Sequence, residues 1–212
     1  HVSVLLGNGD GGLSAPQLVY GPFNPSRLES GDFDEDGRLD ILSINSIIFS
    51  SPSISVLRGR GDGSFGGNQT TAIEEDFSEA IVAGDFDLDG LPDLAVIAEG
   101  PLSVYLGQGD GTMVLHQTVS GGVADLVAGD FDEDGHLDLA ARSGFGVKLM
   151  IGQPDGSFAS GGIFPAASYT VDTERMALAV ADLNGDAHLD LACVNHGNNT
   201  LQVLLGNGAG SL

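Results

Sequence analysis

Apolar residues in this chain come in short runs of strand length, and most of the runs end on glycine. Val4-Leu5-Leu6, Val56-Leu57, Val104-Tyr105-Leu106, Leu149-Met150-Ile151 and Val203-Leu204-Leu205 lead into turns that begin at Gly7, Gly59, Gly107, Gly152 and Gly206. The fullest versions of the turn read Gly-x-Gly-Asp-Gly, as in Gly107-Gln108-Gly109-Asp110-Gly111. Such glycines supply the positive φ angles a tight hairpin needs. A second set of runs, Ile41-Leu42-Ser43-Ile44, Leu94-Ala95-Val96-Ile97, Leu139-Ala140-Ala141 and Leu191-Ala192-Cys193-Val194, follows stretches dense in aspartate. These too are short enough for strands rather than helices.

Successive turn glycines lie roughly 50 residues apart, and a period of that size with several strands per unit predicts a β-propeller. In the second unit the pattern predicts strands at 80–84, 94–98, 103–106 and 113–119, connected as a simple meander. We therefore expect an all-β propeller domain over residues 1–212, built of four-stranded antiparallel blades. Its repeat units run over about 28–79, 80–123 and 124–175, with partial units at 1–27 and 176–212. The five hairpins outnumber the acidic stretches by one. About four blades' worth is expected: an arc of a larger ring that further blades close, a small ring, or an arc closed by oligomerisation.

Each acidic stretch places oxygen-bearing side chains at its first, third, fifth and ninth positions. They are Asp32, Asp34, Asp36 and Asp40; Asp85, Asp87, Asp89 and Asp93; Asp130, Asp132, Asp134 and Asp138; and Asp182, Asn184, Asp186 and Asp190. Two carboxylates about 4 Å apart repel by roughly 4 kcal/mol at a protein surface. A hard divalent cation reverses that sign. The seventh residues, Arg38, Leu91, His136 and His188, would add backbone carbonyl oxygens, and such a carboxylate-dense loop suits calcium better than magnesium. Zinc and copper would lack the sulfur or imidazole ligands they prefer. The twelfth residues, Ser43, Val96, Ala141 and Cys193, are uncharged, which excludes an EF-hand loop. In the fourth stretch Ala187 stands where the others have Gly37, Gly90 and Gly135, and a glycine occurs earlier, at Gly185. That site is expected to be the weakest.

Two smaller regularities accompany the loops. Small residues precede each one (Ser30-Gly31, Ala83-Gly84, Ala128-Gly129, Val180-Ala181), as expected for inner strands crowded around a central channel. The second position is apolar (Phe33, Phe86, Phe131, Leu183), and all four side chains are expected to peg their loops into the core between blades.

The pairing of a Gly-x-Gly-Asp-Gly hairpin with an Asp-x-Asp-x-Asp-Gly-x-x-Asp loop resembles the FG-GAP (VCBS-type) repeats of integrin α-subunit propellers and of many bacterial secreted proteins. The resemblance covers nearly the whole chain. It implies a calcium-binding propeller, commonly seven-bladed, at the cell surface or outside the cell, used for adhesion or recognition.

Composition fits this picture and narrows the partners. The formal net charge is -23, and half of the 30 acidic residues are the loop aspartates, so about four bound Ca2+ ions would reduce the charge to about -15. Seven Lys and Arg residues cannot form a basic stripe, so neither nucleic acid nor an anionic membrane is expected as a partner. The single cysteine, Cys193, reads as buried filler and cannot form an internal disulfide. No transmembrane run, signal peptide or lipidation motif is visible.

Sharper motifs have plain explanations. Gly7 to Gly12 spells a dinucleotide fingerprint, but no helix follows to receive phosphate. Arg60-Gly61-Asp62 falls inside the repeated hairpin. Asn68-Gln69-Thr70 and Asn198-Asn199-Thr200 are glycosylation sequons. No Gly-x-Ser-x-Gly elbow or His-Glu-x-x-His is present, and the histidines are scattered, so catalysis is not expected. His136 and His188 are expected to leave their rings in solvent. Recognition is expected on the face opposite the acidic loops, where Tyr20, Phe23, Phe49, Arg142, Phe145, Tyr169 and Arg175 could stack on sugars or anchor a protein. Arg142 falls in an expected connection at 142–145, and further connections are expected at 20–27 and 45–52. The alternatives are a domain resembling polysaccharide lyases, or a structural spacer in a larger surface protein.

Overall fold

The computed structural model describes residues 2–19, 25–47, 50–73, 78–98, 101–120, 123–143, 146–166, 177–195 and 200–212. The described residues form strands only, so no helix among them is long and apolar enough to cross a membrane. A two-stranded unit, β1 (Val2–Val4) and β2 (Gln17–Val19), is followed by three blades. The first contains β3 (Pro25–Gly31), β4 (Asp40–Ile47), β5 (Ser50–Gly59) and β6 (Phe65–Ala72). The second contains β7 (Ser78–Gly84), β8 (Asp93–Ala98), β9 (Leu102–Gly107) and β10 (Met113–Val119). The third contains β11 (Val123–Gly129), β12 (Asp138–Ser143), β13 (Gly146–Gly152) and β14 (Phe158–Phe164). A fourth sheet of three strands completes the series: β15 (Leu178–Ala181), β16 (Asp190–Asn195) and β17 (Thr200–Leu204).

Every pairing is antiparallel between sequence neighbours, which is the meander the repeat pattern predicts. The strands β3, β7, β11 and β15 lie side by side, so the sheets follow one another as an unclosed arc of propeller blades.

The core lies between the sheets. One cluster joins Phe33, Leu42, Ile44, Ile54 and Val56 of the first blade to Leu94, Val96, Tyr105 and Met113 of the second. A second joins Phe86, Ile97, Leu102 and Val104 to Leu139, Met150 and Phe158 of the third. A third joins Phe131, Val147 and Leu149 to Leu191 and Cys193 of the fourth. Each blade therefore contributes apolar side chains to both neighbours. Cys193 is buried as expected, and burial pushes its thiol up to about 11. Such a thiol is almost wholly protonated at neutral pH and is inert.

Three of the four expected pegs are buried. Phe33, Phe86 and Phe131 are 1–3% exposed, and Phe86 meets Phe158 of the next blade edge-on with ring centroids 5.3 Å apart. Leu183 departs from the expectation, being 51% exposed. Each buried peg is covered by the following blade, and among the described residues no blade follows the sheet of Leu183. The same reason exposes Val194, Leu201 and Val203, whose counterparts Ile44, Ile54 and Val56 in the first blade are buried beneath the second.

Two of the glycines before the loops are also closely packed. A Cβ at Gly84 would lie 2.7 Å from Leu137 and 3.0 Å from Phe86, and one at Gly129 would lie 2.8 Å from Leu189. The glycine leaves room for the peg and for the eighth residue of the next loop.

Several strands run further than the apolar pattern suggested. Asn45 lies within β4, and Arg142 lies at the end of β12, opposite Ala124 and Val147, rather than in a connection. The first of these extensions is hidden by polarity. Asn45 donates its amide to Ser55 Oγ at 2.8 Å and accepts from Ser43 Oγ at 3.0 Å, so polar side chains fill buried positions by pairing with one another.

Candidate metal centres

Each acidic loop bridges the first two strands of its blade, and its fold is written in backbone bonds to its own side chains. The first-position aspartate accepts from the amide of the sixth residue in every loop: Gly37 to Asp32 at 2.8 Å, Gly90 to Asp85 at 3.0 Å, Gly135 to Asp130 at 3.0 Å and Ala187 to Asp182 at 3.0 Å. The fifth-position aspartate accepts from the amide of the seventh: Arg38 to Asp36, Leu91 to Asp89, His136 to Asp134 and His188 to Asp186, at 2.8–3.0 Å. These bonds coil the loop and turn its carboxylates inward.

The coil requires left-handed backbone at the fourth and sixth positions. Glu35, Leu88, Glu133 and Gly185 occupy the fourth with φ of 56, 59, 60 and 83°, and Gly37, Gly90, Gly135 and Ala187 the sixth with φ of 81, 91, 92 and 73°. Each loop thus has one glycine and one residue with a side chain in this region. The fourth loop exchanges the two positions, which explains the displaced glycine in its sequence.

The ninth-position aspartates do something the spacing alone did not reveal. Asp40, Asp93, Asp138 and Asp190 are fully buried. One oxygen of each accepts from the amide of its loop's second residue (Phe33, Phe86, Phe131, Leu183) at 2.7–3.0 Å. The other accepts from the glycine that opens the hairpin after the third strand (Gly59, Gly107, Gly152, Gly206) at 2.7–2.9 Å. A Cβ at any of these glycines would overlap the carbonyl oxygen of Leu39, Pro92, Leu137 or Leu189. The two repeated motifs are therefore halves of one device, in which aspartate clamps loop to hairpin and glycine permits the contact. Their constant co-occurrence was the available signal.

The hairpin aspartates close their own turns. Asp62, Asp110 and Asp155 accept from the amides of Ser64, Thr112 and Ser157 at 2.9–3.1 Å, and hydrogen bonds from those residues hold all three carboxyls below the usual range. Hairpins also touch the loop of the preceding blade, since Gly111 donates to the Phe33 carbonyl at 2.9 Å and Gly210 to the Phe131 carbonyl at 3.1 Å. Loops and hairpins share one end of the blades.

Carboxylate oxygens converge within 4.8 Å in three loops: Asp32, Asp34 and Asp36; Asp85, Asp87 and Asp93; Asp130, Asp132 and Asp138. Asp34 Oδ1 and Asp85 Oδ1 are buried without a hydrogen-bond partner. A buried, unpaired carboxylate oxygen is costly, and a hard cation bound by oxygen ligands is the partner that removes the cost. The residues fit such an ion. In the fourth loop no three acidic groups converge, and Asn184 donates to Asp186 at 2.9 Å, so its polar groups satisfy one another.

Without a cation, burial dominates at three of the ninth-position aspartates. It pushes Asp93 and Asp138 up to about 6 against the opposing bonds from their two backbone amides, and it raises Asp40 too. The loops do not leave both histidine rings in solvent. His188 Nδ1 pairs with Glu133 of the preceding loop, a bond that raises the imidazole above its usual range, and His136 is half-buried with its Nδ1 shielded from solvent.

Of the residues expected on the recognition face, only Arg142 lies among those described, where it is half-buried at the end of β12. Tyr20, Phe23, Phe49, Phe145, Tyr169 and Arg175 lie outside the described residues.

A meander of four-stranded blades, each with an acidic loop latched to a glycine hairpin, defines a repeat-built β-propeller. The chain belongs to the FG-GAP-like repeat family, whose model matches at residues 85–141 and 130–193, together half of the chain. No curated protein matches it. Among solved structures it is similar to an Agrocybe aegerita lectin described as recognising non-reducing terminal N-acetylglucosamine, with a TM-score of 0.69 and 19% identity over 99% of this chain. It is also similar to the Tc holotoxin pore of Photorhabdus luminescens, with a TM-score of 0.56 and 13% identity over 99% of this chain. The chain spans 58% of the lectin chain and 11% of the toxin chain. At such identities the likeness is one of fold.

Proposed function

We propose that this chain is a calcium-binding recognition module of an extracellular or cell-surface protein, non-catalytic, with a protein or glycan ligand bound by loops on the face opposite the metal centres. The observation that carries the calcium reading is the pair of buried, unpartnered oxygens on Asp34 and Asp85, each within a cluster of converging carboxylates. The ligands are the first, third, fifth and ninth side chains of each loop, with the carbonyls of Arg38, Leu91, His136 and His188, for about four ions. The whole of 1–212 acts as one propeller domain. Calcium stiffens the loop end of every blade, so that the opposite connections are presented on a rigid frame.

Calcium at a hundredfold its dissociation constant stabilises by about 2.7 kcal/mol per independent site. Thermal melting in chelator and then in calcium tests this, and an unchanged Tm rejects it. The family and the lectin-like fold support a glycan or protein ligand. A glycan array carrying terminal N-acetylglucosamine, run beside a pull-down, tests that part. Blank results in both favour the spacer reading, and release of unsaturated product from polyuronides favours the lyase reading.

A further inference from the structure

The first loop differs from the others in having two arginines on its carboxylates: the exposed Arg38 pairs with Asp36 at 3.1 Å, and Arg58 reaches the buried Asp34 side chain from β5. The residue before the hairpin glycine is Leu6, Leu106, Ile151 or Leu205 in the other repeats, but Arg58 in the first blade. Arg58 Nε lies 3.2 Å from Asp34 Oδ2, and its Nη2 donates to the Asp110 carbonyl in the hairpin of the second blade at 2.9 Å. The Asp34 side chain is 6% exposed, and its other oxygen, Oδ1, is buried with no partner. One oxygen of this ligand is thus engaged by guanidinium and the other is left for a metal. The converging acids are also different here. The first loop gathers Asp32, Asp34 and Asp36, whereas the second and third gather their first, third and ninth positions.

We propose that Arg58 is a built-in counter-cation of the first loop, so that this loop stays assembled without calcium and binds the ion more weakly than the second and third. The inference rests on the calcium reading above. Two physical effects support it. A positive charge beside a ligand carboxylate lowers the attraction that carboxylate exerts on a second cation. The planar guanidinium fork also ties Asp34 to the next blade, a linkage that an aliphatic side chain cannot make. The arginine thereby gives the first junction a metal-independent fastening.

The experiment compares the protein with its Arg58→Leu variant, which carries the side chain found at three of the equivalent positions. Calcium binding is read by competitive titration against a chromophoric chelator. Loop order is read by hydrogen exchange of peptides covering 32–40, 85–93 and 130–138, in EDTA and in calcium. The expected result in EDTA is slower exchange of 32–40 than of the other two peptides, a difference that Arg58→Leu abolishes. One site of the variant should tighten about tenfold, because the guanidinium no longer competes with the ion for Asp34.

Arg58→Gln keeps a donor for the Asp110 carbonyl without the charge, and it supplies the same comparison if the leucine variant does not fold. If the unaltered protein binds calcium but neither variant changes affinity or the exchange of 32–40, the role of Arg58 is refuted and the calcium reading stands. If the unaltered protein binds no calcium, both fall.

Discussion

Removing calcium should reverse the way stability depends on pH, and the ninth-position aspartates set the size of the effect. Asp93 and Asp138 are fully buried, and in the metal-free protein burial raises them from 3.8 to about 6. A raised carboxyl pKa means that the folded state prefers the protonated group. Its contribution is complete below the unfolded pKa and is lost as pH climbs through the folded value. At about 1.36 kcal/mol per pK unit, each group takes away at most about 3 kcal/mol between pH 4 and pH 6. Asp40 shifts in the same direction. Asp62, Asp110 and Asp155 shift downward and act below about pH 4, outside this window. With calcium bound the sign changes, because metal and proton compete for the same oxygens and deprotonation favours the metal. Urea unfolding at half-unit steps from pH 4 to pH 7, in EDTA and in millimolar calcium, measures both slopes. Stability should fall by a few kcal/mol across the window in EDTA and rise or hold level in calcium. A rise with pH in EDTA would show that amide bonds outweigh burial at these carboxylates and would refute the reasoning.

Three further outcomes follow from the packing. Phe86→Ala should cost about 3–5 kcal/mol as a core cavity, whereas Leu183→Ala, half-exposed on the last sheet, should change stability by under about 0.5 kcal/mol; chemical denaturation of the two variants compares them. Ala187→Gly should raise stability by about 0.5–1 kcal/mol, since Ala187 holds φ of 73° and relief of that strain exceeds the added entropy of glycine in the unfolded chain. A Tm that does not rise would count against the strain. Gly107→Ala should destabilise by more than about 3 kcal/mol or prevent folding, because its Cβ meets the Pro92 carbonyl; circular dichroism and a melt read the result.

The strands of the second blade were legible almost to the residue. The predicted 94–98 and 113–119 are observed as Asp93–Ala98 and Met113–Val119. Uninterrupted apolar runs between glycine turns leave little freedom there. Legibility failed where polar side chains are buried in pairs, as with Asn45 and Ser55, because hydrophobic pattern counts a paired asparagine as exposed. It failed again at Leu183, which has the pattern of a peg while among the described residues no blade lies over it. The double duty of Asp93, as candidate metal ligand and as clamp on Gly107, could not be read from its own loop. Its second partner lies 14 residues away.

Local chemistry settled what each repeat becomes. Glycines at obligatory positive φ, alternating aspartates and short apolar runs are properties of neighbouring residues, so the sequence alone determined the strands, the meander and the acidic loops. Tertiary structure decided what depends on neighbours in space. It determined which pegs are buried, that the ninth aspartate fastens two motifs together, and that Arg58 stands beside Asp34 in one loop out of four. Burial and ion pairing are energies of juxtaposition, and residues 34 and 58 become neighbours only when the blade closes.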